Sequence, residues 1–200
     1  MLTLSIKLWC VIIVAGMIAI ILIAVAMLYN RLVKHRNNLR EAWSGIEVQL
    51  KRRHDLVPGL VAVVKGYSDH EKSLLESVTQ ARSDAKHADH AAVKNTGQAE
   101  NQLSQQLSKL MILAESYPQL RADQQFSELA KTLIEIEDQL QYARRYYNGS
   151  TRDMNNLVET FPGNLIAGVF GFTIAEFFEV ENVSERLRTD LKQHLSQNES

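Results

Sequence analysis

"FSELAKTLIEIEDQLQYARRYYNGSTRDMNNLVETF", residues Phe126 to Phe161, carries the clearest periodic pattern in the chain. Phe126, Leu129, Leu133, Ile136, Leu140, Ala143 and Tyr147 recur at alternating steps of three and four, and Met154, Leu157 and Phe161 continue the stripe. At about 3.6 residues per turn these positions share one face, so the spacing predicts a single long amphipathic helix. So narrow a stripe is buried by other helices bearing matching stripes.

Those partners lie upstream. Leu32, Leu39, Trp43, Ile46, Leu50, Val57, Val61 and Val64 mark a first long helix, with a kink expected at Pro58 and a break at Gly66. Ser68 and Glu71 have capping-box spacing and start a second helix, whose stripe is Leu74 or Leu75, Val78 and Ala81. "SDAKHADHAAVKNTGQA", Ser83 to Ala99, is polar and alanine-rich and is expected to be a fraying helix end and a loop. Leu103, Leu107, Leu110, Ala114 and Tyr117 mark a third helix, and Ser116 with Pro118 is expected to open the next. No window alternates as a strand does. The predicted fold class is all-α: a long antiparallel four-helix-type bundle over residues 30–160, with coiled-coil-like spacing.

The chain begins differently. After a short segment, residues 1–7, "LWCVIIVAGMIAIILIAVAMLY" runs from Leu8 to Tyr29 without a charge. At about 1.5 Å per residue it reaches roughly 33 Å, enough to cross a bilayer core. Trp9 and Tyr29 stand at its ends, where amphipathic rings prefer to sit. Ala24-Val25-Ala26 has the form of a signal-peptide cleavage site, but the apolar run exceeds the length of a signal core, so a single-pass transmembrane helix over 8–29 is the expectation. Arg31, Lys34, Arg36 and Arg40 follow it as a basic collar against Lys7 in front. That bias places the N-terminus outside and the bulk of the chain in the cytoplasm. The collar explains itself as orientation and contact with membrane lipid.

Near the other end, "FPGNLIAGVFGFTIAEFF", Phe161 to Phe178, is the most apolar stretch outside the anchor. Phe161-Pro162-Gly163-Asn164 ends the long helix, and a short helix over about Leu165 to Val180 is expected. Residues 161–180 are too short and too acidic to span a membrane, given Glu176 and Glu179. They can cap the bundle, lie at the lipid interface or pack on a neighbouring subunit. Phe161, Ile166, Phe170, Phe172, Phe177 and Phe178 are the candidate oligomer or partner contacts. The polar tail, residues 181–200, keeps an amphipathic pattern at Val183, Leu187, Leu191 and Leu195.

Composition excludes much. In 200 residues with a formal net charge of -1 there is no basic field for nucleic acid. The single cysteine, Cys10, lies in the apolar run, which excludes a disulfide framework and a cysteine-based zinc site. No Glu-x-x-His pair, zincin motif or phosphate-binding loop occurs. Asp84, His87 and His90 can approach one metal ion from a helix, but their polar surroundings favour plain solvated surface. Arg53, Asp55, Arg82, Glu137 and Arg144 lie within or beside apolar stripes, where charges must pair. Arg82 is a candidate partner for Glu137, and Asp55 for Arg144. Together they are expected to be a polar network that sets register in the bundle.

Many short blocks resemble the LemA family of bacterial membrane-anchored helical proteins. They begin with Tyr29-Asn30, Glu41-Ala42-Trp43 and "VQLKRRHDLVPGLVAVVKGYSDHE" from Val48 to Glu71. Ala81-Arg82, Glu115-Ser116-Tyr117-Pro118, Glu137, Ala143-Arg144 and Tyr147-Asn148 follow in order. Phe161-Pro162, Asn164, Phe170-Gly171-Phe172 and Phe177-Phe178-Glu179 close the match. Gly59 departs from an asparagine of that pattern. The resemblance implies one N-terminal span, a helical bundle on the cytoplasmic side of a bacterial inner membrane, and no reaction; no catalytic residue is carried over from it, and no metal or cofactor is expected. The expected function is a non-enzymatic scaffold that self-associates through residues 161–180, with homo-oligomers as its main assembly. The alternative is a monomeric adaptor recruiting a membrane or cytoplasmic protein through the same segment. A hydrolase or metalloenzyme ranks last.

Overall fold

The computed structural model describes residues 2–67, 71–88 and 92–178, with side chains from Trp9 onward except Cys10. Six helices lie among them: α1 (Leu2–Lys65), α2 (Lys72–His87), α3 (Val93–Glu115), α4 (Pro118–Arg121), α5 (Gln124–Glu159) and α6 (Gly163–Phe170). No strand occurs among the described residues. α1 runs unbroken through Pro58 and stops before Gly66, whose N–H bonds the Val63 carbonyl at 3.0 Å, so the expected break is there. Ser68, the expected cap of α2, lies outside the described residues, as do Val180 and the tail 181–200.

Three expectations change. The supposed loop within residues 83–99 is largely helical: α2 continues to His87 and α3 begins at Val93. The packed face of α3 opens with Thr96, Gly97, Glu100 and Ser104, so small and polar residues carry the stripe at its start. Ser116 ends α3 and does not cap the next helix. Asp123 caps α5 instead: its Oδ1 accepts the Phe126 N–H at 2.8 Å, and its Oδ2 accepts the Tyr67 hydroxyl at 2.8 Å. These bonds, the Phe126 amide first, hold the Asp123 carboxyl below its ordinary range. The third change is in the last helix. It ends at Phe170, because Gly171 turns left-handed (φ 72°) and sends the Gly171 and Phe172 N–H groups back to the Ala167 carbonyl. Residues 172–178 form an irregular strap.

The chain divides into two compact units, Met1–Arg40 with Ser150–Ala175, and Glu41–Gly149 with Glu176–Ser200. The second is a four-helix bundle. Val57, Leu60 and Val64 of α1, Leu75 and Val78 of α2, Leu103, Leu107 and Leu110 of α3, and Phe126 and Leu133 of α5 fill one core. In the first, Leu32, Met154, Ala167 and Phe172 pack together, with Val33, Leu157 and Ile166 against them. Gly163 starts α6 where the chain reverses, and a Cβ there would lie 2.2 Å from the Leu157 carbonyl oxygen. Among the described residues the apolar run at the front of α1 finds no such cover: Ile12, Ile20 and Leu22 are all exposed.

Candidate functional site

In the bundle unit the stripes of three helices each give up slots to charge. Arg53 stands between Leu50 and Val57 on α1, Glu100 one turn before Leu103 on α3, and Glu137 and Arg144 on either side of Leu140 on α5. All four are buried, Arg53, Glu100 and Glu137 fully so. Arg53 Nη1 donates to Glu137 Oε1 at 2.7 Å and to Ser104 Oγ at 3.0 Å. Its Nη2 donates to the Glu100 carbonyl at 3.2 Å and pairs with the Glu100 carboxylate. His54 Nε2 holds the other Glu100 oxygen at 2.8 Å. One guanidinium thus forks between two carboxylates, the geometry that arginine offers and lysine does not.

Burial shapes each proton affinity. Burial alone would raise Glu100, but the charge of Arg53 and the bond from His54 outweigh it and hold the carboxyl at about 2. Burial alone would lower Arg53, but Glu100 and Glu137 together raise it above the ordinary arginine value. Arg144 is lowered to about 10, first by burial and then by the like charge of Arg53, while Glu137 and Glu100 pull the other way. Its guanidinium lies over the Phe178 ring, 5.2 Å from the centroid. Each buried ion would cost several kcal/mol alone, so two cations and two anions in one core are tolerable as a set. Arg53 lies between the two carboxylates and pairs with one oxygen of each, while Glu137 Oε2 is buried without a hydrogen-bond partner.

Of the five residues expected to share this network, Arg53, Glu137 and Arg144 do so. Asp55 is exposed and does not serve Arg144. Arg82 does not reach Glu137; its Nε donates to the His54 carbonyl at 2.6 Å. The reason is rotational. The buried face of α5 centres on Ala130, Leu133, Glu137, Leu140 and Arg144, while Leu129 and Ala143 lie at its edge. Glu137 therefore points at the axis, where Arg53 already is. Glu100 and His54 join the network without being expected there: Glu100 sits a helical step before Leu103, directly after the stretch expected to be a loop. His87, of the weighed metal group, bonds the Ser83 carbonyl at 2.7 Å and Asp84 accepts from Gln80, while His90 lies outside the described residues.

In the first unit the candidate contact segment divides by face. Ala167 and Phe172 turn inward, with Ile166 partly covered, while Phe161, Leu165, Val169 and Phe170 are 79, 59, 78 and 52 % exposed. Tyr29, at the end of the uncharged run, touches Phe170 (4.8 Å between centroids) and Phe172 (5.9 Å). Arg36 of the collar lies 5.2 Å from the Phe172 ring centre, whereas Arg31, Lys34 and Arg40 are exposed. Asn155 clamps the strap: its Nδ2 donates to the Ala175 carbonyl at 2.9 Å and its Oδ1 accepts the Ala175 N–H at 2.7 Å. In the bundle unit Asn148 grips Phe178 in the same double manner, at 3.2 and 2.9 Å, and the Tyr147 hydroxyl donates to the Glu176 carbonyl. Phe178 is thereby seated beside Trp43, while Phe177 is exposed. Phe172 and Phe178 are thus packed against their own chain, and Phe161, Phe170 and Phe177 remain open.

The sequence has relatives. It is 25 % identical over 179 residues to magnetosome protein MamQ 2 of Paramagnetospirillum magneticum, a match covering 76 % of this chain and 65 % of that protein. It is 26 % identical over 159 residues to protein LemA of Metamycoplasma hominis, covering 77 % and 71 %. Magnetosome protein MamQ of Magnetospirillum gryphiswaldense is 22 % identical over 176 residues, again covering 76 % and 65 %. The chain thus spans about two-thirds of the length of the MamQ relatives. The LemA family profile matches residues 42–191. With an exposed apolar helix in front and this match over most of its length, the chain is a membrane-associated helical protein and belongs to the LemA family.

Proposed function

We propose that the protein is a non-enzymatic, single-pass scaffold of a bacterial inner membrane, whose copies associate side by side through residues 161–178. The observation that carries this reading is the open face of α6. Phe161, Leu165, Val169 and Phe170 form an uncharged patch beside Tyr29, at the end of the apolar run. Contiguous apolar surface of that kind is covered by something in a working protein. Gly168 stands on this helix with open space where a Cβ would be, so a second helix can approach closely. The basic collar favours the bundle on the cytoplasmic side. The charged core supports a structural role, since its carboxylates are fully buried and already engaged by Arg53.

Cysteine cross-linking in native membranes tests the reading. With Cys10 replaced by serine, Val169→Cys should give a disulfide-linked dimer, and a cysteine at exposed Glu135 in the bundle should not. Absence of any V169C dimer overturns self-association through this face. If the protein is instead a monomer that captures another protein only with residues 161–180 intact, it is an adaptor.

A further inference from the structure

Beside the collar, α1 and α5 enclose a cleft of about 380 Å³ in the first unit. Arg31 and His35 are one turn apart on α1, and Asp153 and Asn156 nearly one turn apart on α5; all four line the cleft. Leu28 and Phe161 supply its apolar rim. We propose that this cleft binds the headgroup of a zwitterionic aminophospholipid, with its phosphate on Arg31 and His35 and its primary ammonium on Asp153.

Depth supports the assignment. The polar layer on each side of a bilayer core is about 5–8 Å thick. Arg31 and His35 follow Tyr29 by about 3 and 9 Å along a helix, so Arg31 stands at the level of the headgroups and His35 at their outer edge. Charge supports it too. The cleft sets a permanent cation and a carboxylate on opposing helices, the complement of a zwitterion. A purely anionic headgroup would meet Asp153 unfavourably. A trimethylammonium group has no N–H to donate to that carboxylate, so a choline headgroup loses the second anchor. The apolar rim continues into the exposed run of α1, along which acyl chains can lie. The inference rests on residues 8–29 being an anchor and not on self-association.

The test uses the full chain in mild detergent, equilibrated with equal amounts of phosphatidylethanolamine, phosphatidylcholine and phosphatidylglycerol, with retained lipid read by native mass spectrometry. Wild type should retain the ethanolamine lipid at least fivefold over either of the others. Arg31→Ala and Asp153→Asn should each abolish that preference, while Lys34→Ala, in the collar but outside the cleft, should keep it. Phe170→Asp should also keep it, even as a monomer, which separates this site from self-association. All four positions are exposed, and helix content by circular dichroism checks each fold. Equal retention of the three lipids, preference for phosphatidylglycerol, or a preference surviving both R31A and D153N overturns the proposal. Soluble glycerophosphoethanolamine and inorganic phosphate form a further arm: if either displaces the lipid at comparable concentration, the cleft serves a free phosphate compound and the lipid assignment falls.

Discussion

Arg53 explains more of the bundle than any other residue. An apolar side chain in its slot would pack, but Glu100 and Glu137 would then be buried charges without their cation. Breaking such a pair costs about 3–5 kcal/mol. Glu100→Gln is therefore expected to lower stability by about 3 kcal/mol or more in urea denaturation of the detergent-solubilised protein. The pH dependence follows from direction. Glu100 is held at about 2 in the folded chain against an ordinary 4.5, so its stabilisation is complete above about 4.5 and disappears as pH falls toward 2. The thermal midpoint of wild type should drop across that window, and E100Q should drop less. Parallel curves would show that Glu100 does not carry the effect. Glu137 and Arg144 were legible in the sequence as stripe charges. Their partners were not, because a one-residue rotation of the helix face decides whom a charge meets.

Among the elements, α1 and α5 were legible because their apolar repeats are long and their breakers, Gly66 and Phe161-Pro162-Gly163, stand at the ends. The strap was not. Ile174, Phe177 and Phe178 keep helical spacing after Phe170, so periodicity alone extends α6. What ends it is the left-handed Gly171, and what replaces its hydrogen bonds is a side-chain amide of α5 acting as a surrogate peptide. Asn155→Leu removes two such bonds at about 1 kcal/mol each. It should speed hydrogen exchange at the Ala175 amide by ten- to thirtyfold and leave the helix interiors unchanged. Unaltered exchange there would mean that the clamp holds nothing. Gly163→Ala meets a harder obstacle, backbone at 2.2 Å, and the reversal into α6 must shift to admit it. A large fall in thermal midpoint is expected for G163A. Gly168→Ala enters open space and should leave folding stability nearly unaltered, so equal losses would contradict the packing described.

Over the whole molecule, two kinds of apolar surface require two kinds of cover. The bundle core is covered by its own helices and was legible from the stripes. Among the described residues nothing covers the run of α1 or the open face of α6, and a sequence alone shows neither which face of α6 is spent internally nor that Tyr29 meets Phe170. The charge pattern assigns the first surface to lipid. We assign the second to another copy of the chain. The direct measurement is the mass of the full chain extracted gently from native membrane, taken beside the Phe170→Asp variant by light scattering with detergent subtracted. A discrete oligomer is expected for wild type and a folded, helical monomer for F170D. A wild-type monomer, or an oligomer of unchanged size in the variant, would contradict it.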